Sequence, residues 1–177
     1  MKGTVSRVVS GGTVVAVLMT VFVWPASAAV TPAVGPTVDV AFPTSGAYVR
    51  RGAIWVNGVA CDPNASTTDA TAGISRVSIF LGDRENPSSA PSFRPGGFMG
   101  AATISGTTPE FSVNAAENSR LGLNTPDVSV CKNPNAGWRV LTASLRKKGT
   151  YTMNVYVLAK NGKETRVTIN NLRVDQP

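Results

Sequence analysis

Apolar and polar residues alternate along much of the chain from residue 37 onward. The alternation is clear in residues 37–42, 53–61 and 74–81, and it is longest in residues 149–162. A period of two is typical of strands with one buried face, and clusters of Gly, Pro, Asn and Asp separate these segments as turns do. Because no segment keeps a helical period over three turns, the pattern predicts an all-β domain.

The longest segment also predicts which of its side chains are buried. Tyr151, Val155 and Val157 share one parity and are expected to face the core. Asn154 has the other parity and is expected to face solvent. The Asn-Gly pair at residues 161–162 predicts a tight hairpin turn of type I′.

The first residues have a different pattern. Lys2 and Arg7 precede an apolar run over residues 14–24, and small residues follow at 25–28. This order is that of a secretory signal peptide with an A-x-A cleavage site, and the run is shorter than the roughly 20 apolar residues of a membrane span. The predicted organisation is a signal peptide at residues 1–28, a flexible lead-in at residues 29–36 and a single domain at residues 37–177. After cleavage we expect a protein that is secreted or held at the cell surface, with no inserted segment.

Composition excludes several classes of function. The chain has 177 residues and no histidine, so it lacks the commonest general base and the usual nitrogen ligand of zinc. Asp62 and Asp69 flank one loop and are candidates for a calcium site, although their spacing is not that of a known calcium loop and Asp ordinarily caps such turns. We therefore expect no enzymatic activity, no cofactor and no metal.

The charge balance is basic, with 17 Lys and Arg against 10 Asp and Glu. Residues 50–51 form one basic run and residues 146–148 form another. Aromatic residues do not interleave with these runs, as they would in a stacking platform for nucleic acid, so nucleic acid is not an expected partner. The runs are interpreted as solvated turns that keep the protein soluble or as a weak attraction for anionic polymers.

Cys61 and Cys131 are the only cysteines. Export to an oxidising compartment favours a disulfide between them. Their separation of 70 positions gives a stabilisation of about 4 kcal/mol in the loop-entropy model.

Parity places this disulfide away from the core. Val56 is expected to face the core, so the outer face of the same strand is expected to carry Trp55, Val59 and Cys61. Phe80 is expected on the outer face of the next strand. An apolar outer face is adhesive unless another part of the chain covers it. The segment of residues 83–137 carries the second cysteine and is expected to cover this face. Its polar loops, residues 86–95 and 117–126, are the predicted contact surface for a partner.

Several short motifs carry a family resemblance. The run VNGVACD at residues 56–62 has the form V-x-G-x-A-x-D, and GISRVSI at residues 73–79 has the form G-I-x-x-V-x-V. Residues 149–155, with Ala159 and Gly162, are similar to a penultimate strand and final hairpin. These motifs resemble those of bacterial immunoglobulin-like (Ig-like) domains.

The resemblance covers residues 37–82 and 138–175 and has two departures. Lys160 to Gly162 stand where the family often has an Asp, and residues 83–137 are longer and less regular than usual. The implied fold is an Ig-like antiparallel β-sandwich with a long irregular insertion between the third strand and the penultimate pair of strands. Such domains are adhesive, carbohydrate-associated or spacer modules of secreted and cell-surface proteins.

The expected function is therefore a non-catalytic binding or structural module outside the cell. It is expected to act as a monomer on an extracellular protein or a polysaccharide. The alternative is a carbohydrate-binding module that uses exposed aromatic residues, although large aromatics more often pack in the core. The candidate ligand-binding residues are Trp55, Phe93, Phe98, Trp138 and Tyr156.

Overall fold

The computed structural model describes residues 34–102, 131–133 and 135–175, which include eight strands and a short 3₁₀ turn, Pro87–Ser89. The strands are β1 Thr37–Phe42, β2 Tyr48–Arg50, β3 Trp55–Cys61, β4 Ile74–Leu81, β5 Phe98–Ala102, β6 Gly137–Leu141, β7 Gly149–Ala159 and β8 Glu164–Asp175. The all-β prediction is confirmed. Within these ranges no helix is long and apolar enough to span a membrane. The predicted signal peptide lies outside the described residues.

The strands form two sheets. One has the order β1-β3-β6, and the other has the order β2-β8-β7-β4-β5. All neighbouring strands are antiparallel except β2 and β8, which are parallel. The strand β2 has only three residues, too few for a period of two to be recognised in the sequence, and it was not predicted.

The core lies between the two sheets. Val56 and Trp138 of the three-stranded sheet pack in the same buried cluster as Val77, Val155 and Leu172 of the five-stranded sheet. Burial of such aliphatic side chains is the main source of stability for a sandwich. The predicted inward orientation of Val155 and Val157 is confirmed, since both are fully buried, and Tyr151 packs against the same cluster while half-buried.

Gly58 makes room for the aromatic residue of this core. It lies opposite Trp138 in the pairing of β3 with β6. A Cβ atom at Gly58 would collide with the carbonyl oxygen of Asp39 and would lie 3.0 Å from the Trp138 ring. The indole therefore packs directly on the backbone of β3.

The predicted disulfide between Cys61 and Cys131 is present. Both cysteines belong to a second, smaller cluster with Val59, Ala72 and Ala136, separate from the core between the sheets. The prediction that the bond lies on the outer side of β3 is therefore confirmed.

The covering of that face differs from the prediction. Ala72, from the loop between β3 and β4, contributes to the cover, so residues 83–137 do not supply it alone. Residues 82–91, which include the start of the predicted covering segment, contact the outer face of the other sheet, as described below. Residues 103–130, which include the predicted contact loop 117–126, lie outside the described residues.

The hairpin between β7 and β8 is not of type I′. That turn needs a positive φ at both central residues, and here Gly162 has φ +81° whereas Asn161 has no positive φ. Ala159 N donates to Lys163 O at 2.8 Å and Gly162 N donates to Ala159 O at 3.0 Å, which makes a three-residue loop. The Asn161 amide donates to Asp62 Oδ2 at 2.7 Å, so a tertiary contact holds this residue.

Replacing both cysteines by serine is expected to lower the free energy of unfolding by up to about 4 kcal/mol. The variant is still expected to fold, because the core between the sheets does not include the disulfide. Denaturant unfolding measures the change. Thiol titration of the denatured natural protein is expected to find no free thiol, and detection of two would contradict the assignment.

Candidate functional site

The outer face of the five-stranded sheet is not open to solvent along its middle. Asn154 and Tyr156 point away from the core on β7, yet they are only 3% and 2% exposed. The expectation that Asn154 faces solvent is therefore wrong. Strand parity was read correctly, but a second layer of chain covers this face.

That layer is residues 82–91, which follow β4 and are called the covering loop. Gly82 N donates to Thr152 O at 2.8 Å, and the Asn154 amide donates to Gly82 O at 2.6 Å. The other end of the Asn154 side chain accepts a hydrogen bond from the Thr168 hydroxyl at 2.7 Å. These bonds tie the loop to β7 and β8.

The hydroxyl of Tyr156 is the centre of the contact. It lies 2.9 Å from Asp83 Oδ1 and 2.7 Å from Glu85 Oε2, and it accepts a hydrogen bond from the backbone N–H of Arg84 at 3.1 Å. A phenol has one proton and donates to one carboxylate at a time. Burial, and then the bond to Glu85, raises the pKa of Tyr156, so the phenol keeps its proton at neutral pH.

Two arginines balance the carboxylates around this hydroxyl. The Arg84 guanidinium lies 4.1 Å from the centre of the Tyr156 ring and contacts Glu85 at 2.7 Å and Glu164 at 2.6 Å. Arg166 contacts Asp83 at 3.0 Å. The stacked cation and the two-oxygen contact with Glu164 are geometries that suit arginine better than lysine.

Asp83 is held in its ionised form. Contacts with the Glu85 side chain, the Glu85 backbone N–H, the Tyr156 hydroxyl and Arg166 lower the pKa of Asp83 from 3.8 to about 2. A general acid or base works best with a pKa near the operating pH. The arrangement therefore orders a loop and presents fixed charges, and it does not poise Asp83 for proton transfer near neutral pH.

A trough of about 470 Å³ lies between the covering loop and the exposed part of β7 and β8. Its lining is Gly82, Asp83, Ser89, Pro91, Thr150, Tyr151, Thr152, Asn154, Arg166 and Thr168. The hydroxyls of Thr150 and Thr152 have no hydrogen-bond partner among the described residues. Ser89 and Pro91 belong to the predicted contact loop 86–95, which therefore forms part of one wall.

The structure does not bring the predicted aromatic residues into one platform. Trp138 is 2% exposed in the core, and Tyr156 is 2% exposed beneath the covering loop, so neither offers a free ring face. Phe98 is 47% exposed and packs edge-on against Phe80, with ring centres 5.4 Å apart. Phe98 and Tyr156 thus share Phe80 as a neighbour.

The remaining two candidates are half-buried and lie apart from that cluster. Phe93 packs edge-on against Tyr151, with ring centres 5.7 Å apart, and both rings lie against the core between the sheets. Trp55 lies on β3, with the Arg139 guanidinium 5.2 Å from its ring centre. Ligand binding by these residues stays a prediction.

The acidic loop between β3 and β4 is held by turn capping. Asp62 Oδ1 accepts the backbone N–H of Asn64 at 2.9 Å, and Asp69 Oδ1 accepts the backbone N–H of Thr71 at 2.8 Å. Lys160 contacts Asp69 at 3.0 Å. The capping interpretation is confirmed for both residues, and the described ranges hold no group of three or more side chains that would suit a metal ion.

Sequence reasoning did not assign any of the following residues to a site: Asp83, Arg84, Glu85, Glu164 and Arg166. The only available signal was the Asp-Arg-Glu run directly after a predicted strand, which by itself describes a solvated turn. Neither a scan against protein-family models nor a search of curated proteins finds a match for this chain.

Tyr156→Phe is expected to reduce the free energy of unfolding by about 1–3 kcal/mol, because it removes a buried hydroxyl that satisfies Arg84 N–H and separates two carboxylates. Amide hydrogen exchange is expected to quicken in the covering loop before it does in the core. Tyr48→Phe is the matched control, since Tyr48 is exposed and such surface changes stay within about 0.5 kcal/mol. Equal effects of the two changes would contradict the assigned role of Tyr156.

The contribution of Asp83 to stability is expected to depend on pH. Because its folded pKa of about 2 is below the ordinary 3.8, the stabilisation is complete above pH 3.8 and is lost as the pH falls toward 2. Asp83→Asn keeps one side-chain oxygen but removes the charge facing Arg166. Acid unfolding is monitored at several pH values between about 2 and 7. The variant should lose less stability than the natural protein as the pH falls. Parallel curves would contradict the lowered pKa of Asp83 in the folded protein.

Proposed function

We propose that the protein is a secreted, non-catalytic Ig-like module that binds an extracellular partner through the outer face of its five-stranded sheet. The disulfide supports a location in an oxidising compartment, in agreement with the leader-like pattern of residues 1–28. Strand order supports the Ig-like assignment, the fixed charges support a non-catalytic role, and the trough supports partner binding.

Strand order supports the Ig-like assignment. In an Ig sandwich the strands A, B and E share one sheet, and C, F and G share the other. The sheet β1-β3-β6 corresponds to A, B and E, and the run β4, β7 and β8 corresponds to C, F and G. The strand β5 then takes the place of C′.

The disulfide departs from the pattern of antibody domains. There the bond joins strands B and F across the two sheets. Here it joins Cys61, at the end of β3, to Cys131, which precedes β6 in the chain, and β6 pairs with β3 in the same sheet. The interior between the sheets is filled by Trp138 and aliphatic residues instead. The bond therefore links the end of the central strand β3 to the chain before β6 and leaves the sandwich core to hydrophobic packing.

The charges of the candidate site support a role without catalysis. Asp83 and Glu85 share the Tyr156 hydroxyl, and Arg84 and Arg166 neutralise them. Acid-base catalysis by a carboxyl pair needs one group with a raised pKa, and the pKa of Asp83 is lowered instead.

The trough is the observation on which the binding proposal depends. Its volume of about 470 Å³ lies within the usual range of roughly 300–1,000 Å³ for ligand pockets. Its walls are held by the hydrogen bonds of Asn154 and Tyr156, so little ordering is required when a partner binds. Thr150 and Thr152 offer hydroxyls for new hydrogen bonds.

A polysaccharide is the second candidate partner. The trough combines hydroxyl, amide and charged groups, which offer hydrogen bonds to sugar hydroxyls. The exposed Phe98 lies on a different part of the sheet.

Thr152→Phe is expected to fill the trough and to weaken partner binding on the order of tenfold. Thr37→Phe is the matched control, because Thr37 is exposed on β1 and does not line the trough. Each protein is immobilised and used to capture partners from native culture supernatant and cell envelope. The natural protein and Thr37→Phe should recover the partner, and Thr152→Phe should not.

Pull-down with insoluble cellulose and chitin separates the two candidates. Binding that Thr152→Phe loses and Thr37→Phe keeps would support a polysaccharide. Equal binding of both variants to every partner recovered would refute the trough as the binding site, provided that their thermal unfolding matches that of the natural protein.

A further inference from the structure

The two basic runs of the sequence are adjacent in the fold. Gly52 and Leu145 form an isolated antiparallel bridge, in which Gly52 N donates to Leu145 O at 3.1 Å and Leu145 N donates to Gly52 O at 2.8 Å. Arg51 and Arg146 directly adjoin this bridge in the sequence. The runs at residues 50–51 and 146–148 are therefore parts of one surface.

The short strand β2 adds a further cation to this surface. Its parallel pairing with β8 places Tyr48 beside Arg173 and Arg50 beside Asp175. Lys148 Nζ lies 3.4 Å from Asp175 Oδ1. The basic surface is defined as Arg50, Arg51, Arg146, Lys147, Lys148 and Arg173, all of which are exposed.

A hollow lies within the basic surface. Its volume is about 190 Å³, and its lining includes Tyr48, Lys148, Thr150, Arg173 and Asp175. Tyr48 is 66% exposed, and the Arg173 guanidinium lies 5.0 Å from the centre of its ring. Six cations against the carboxylate of Asp175 leave this hollow in a strongly positive field, which attracts anions and raises their local concentration.

We propose that the basic surface binds an anionic polysaccharide, with sulfate or carboxylate groups on the cations and a sugar ring against Tyr48. The positive charge fits a polyanion. The Tyr48 side chain has an apolar ring and a polar hydroxyl, which suits a sugar with both apolar and hydrogen-bonding faces. Single-stranded nucleic acid binds through successive aromatic rings, and Tyr48 is the one aromatic residue among the described residues that line the hollow. The disulfide favours an oxidising compartment, which also favours an extracellular polymer.

This proposal goes beyond the binding of a partner in the trough and does not depend on it. Thr150 lines both the trough and the hollow, so the two surfaces adjoin on the same sheet. Different residues carry the two interactions, since the cations of the hollow do not line the trough. Binding at the trough without binding at the basic surface would support the proposed function alone. The reverse result would support the present proposal alone.

The test uses dextran sulfate, uncharged dextran of the same length and an oligothymidine, each at several salt concentrations. The natural protein is expected to bind dextran sulfate and not uncharged dextran. The logarithm of its binding constant is expected to fall linearly with the logarithm of the salt concentration, as in polyion binding. The pair Arg51→Gln and Lys147→Gln is expected to weaken binding on the order of tenfold and to flatten the salt slope.

The control pair is Arg76→Gln and Lys163→Gln, which removes the same charge from exposed positions elsewhere. It is expected to change binding little. Tyr48→Ala is expected to weaken binding, and Tyr48→Phe is expected to preserve it because the ring remains. Equal losses in the two charge pairs, oligothymidine binding as tight as dextran sulfate binding, or no binding of dextran sulfate would each overturn the proposal.

Discussion

A buried phenol requires a hydrogen-bond partner for its hydroxyl, and most of the candidate site depends on how Tyr156 meets that requirement. The strand β7 lies in the middle of its sheet, and its residues 153–157 are buried on both faces. Aliphatic residues such as Val155 fill the face toward the core. Asn154 and Tyr156 occupy the opposite face, where their polar atoms would be costly to bury without partners. The covering loop supplies those partners, and its position in turn defines one wall of the trough.

The charges around Tyr156 follow from the same requirement. Two carboxylates approach one hydroxyl, which would be unfavourable without compensating cations. Arg84 stacks on the ring and contacts two glutamates, while Arg166 reaches Asp83 from the neighbouring strand. These ion pairs are partly exposed, so each contributes little to stability by itself. Their combined effect is to give the loop a defined position.

The sequence predicts the strands well because alternation is a local property. It gave the bounds of β1 and β4 and the inward face of β7 correctly. The covering loop has no such period, and its contacts join residues more than seventy positions apart, as for Tyr156 and Asp83. Parity identifies a face of the strand but does not tell whether a second layer covers it, which is why Asn154 was misplaced. The basic surface was hidden for a related reason: each run resembles a solvated turn until the unpredicted strand β2 and the bridge at Gly52 bring them together.

The parallel pair of β2 and β8 has a mechanical consequence. The chain enters β2 at Tyr48 and leaves β8 at Asp175, at opposite ends of a ladder that pairs Tyr48 with Arg173 and Arg50 with Asp175. Tension applied to the backbone on the two sides of this ladder acts along the strands, so their hydrogen bonds are loaded together in shear. An antiparallel hairpin pulled at its open end would instead unzip one bond after another. Within this sandwich, the ladder formed by its shortest strand is thus arranged to resist pulling.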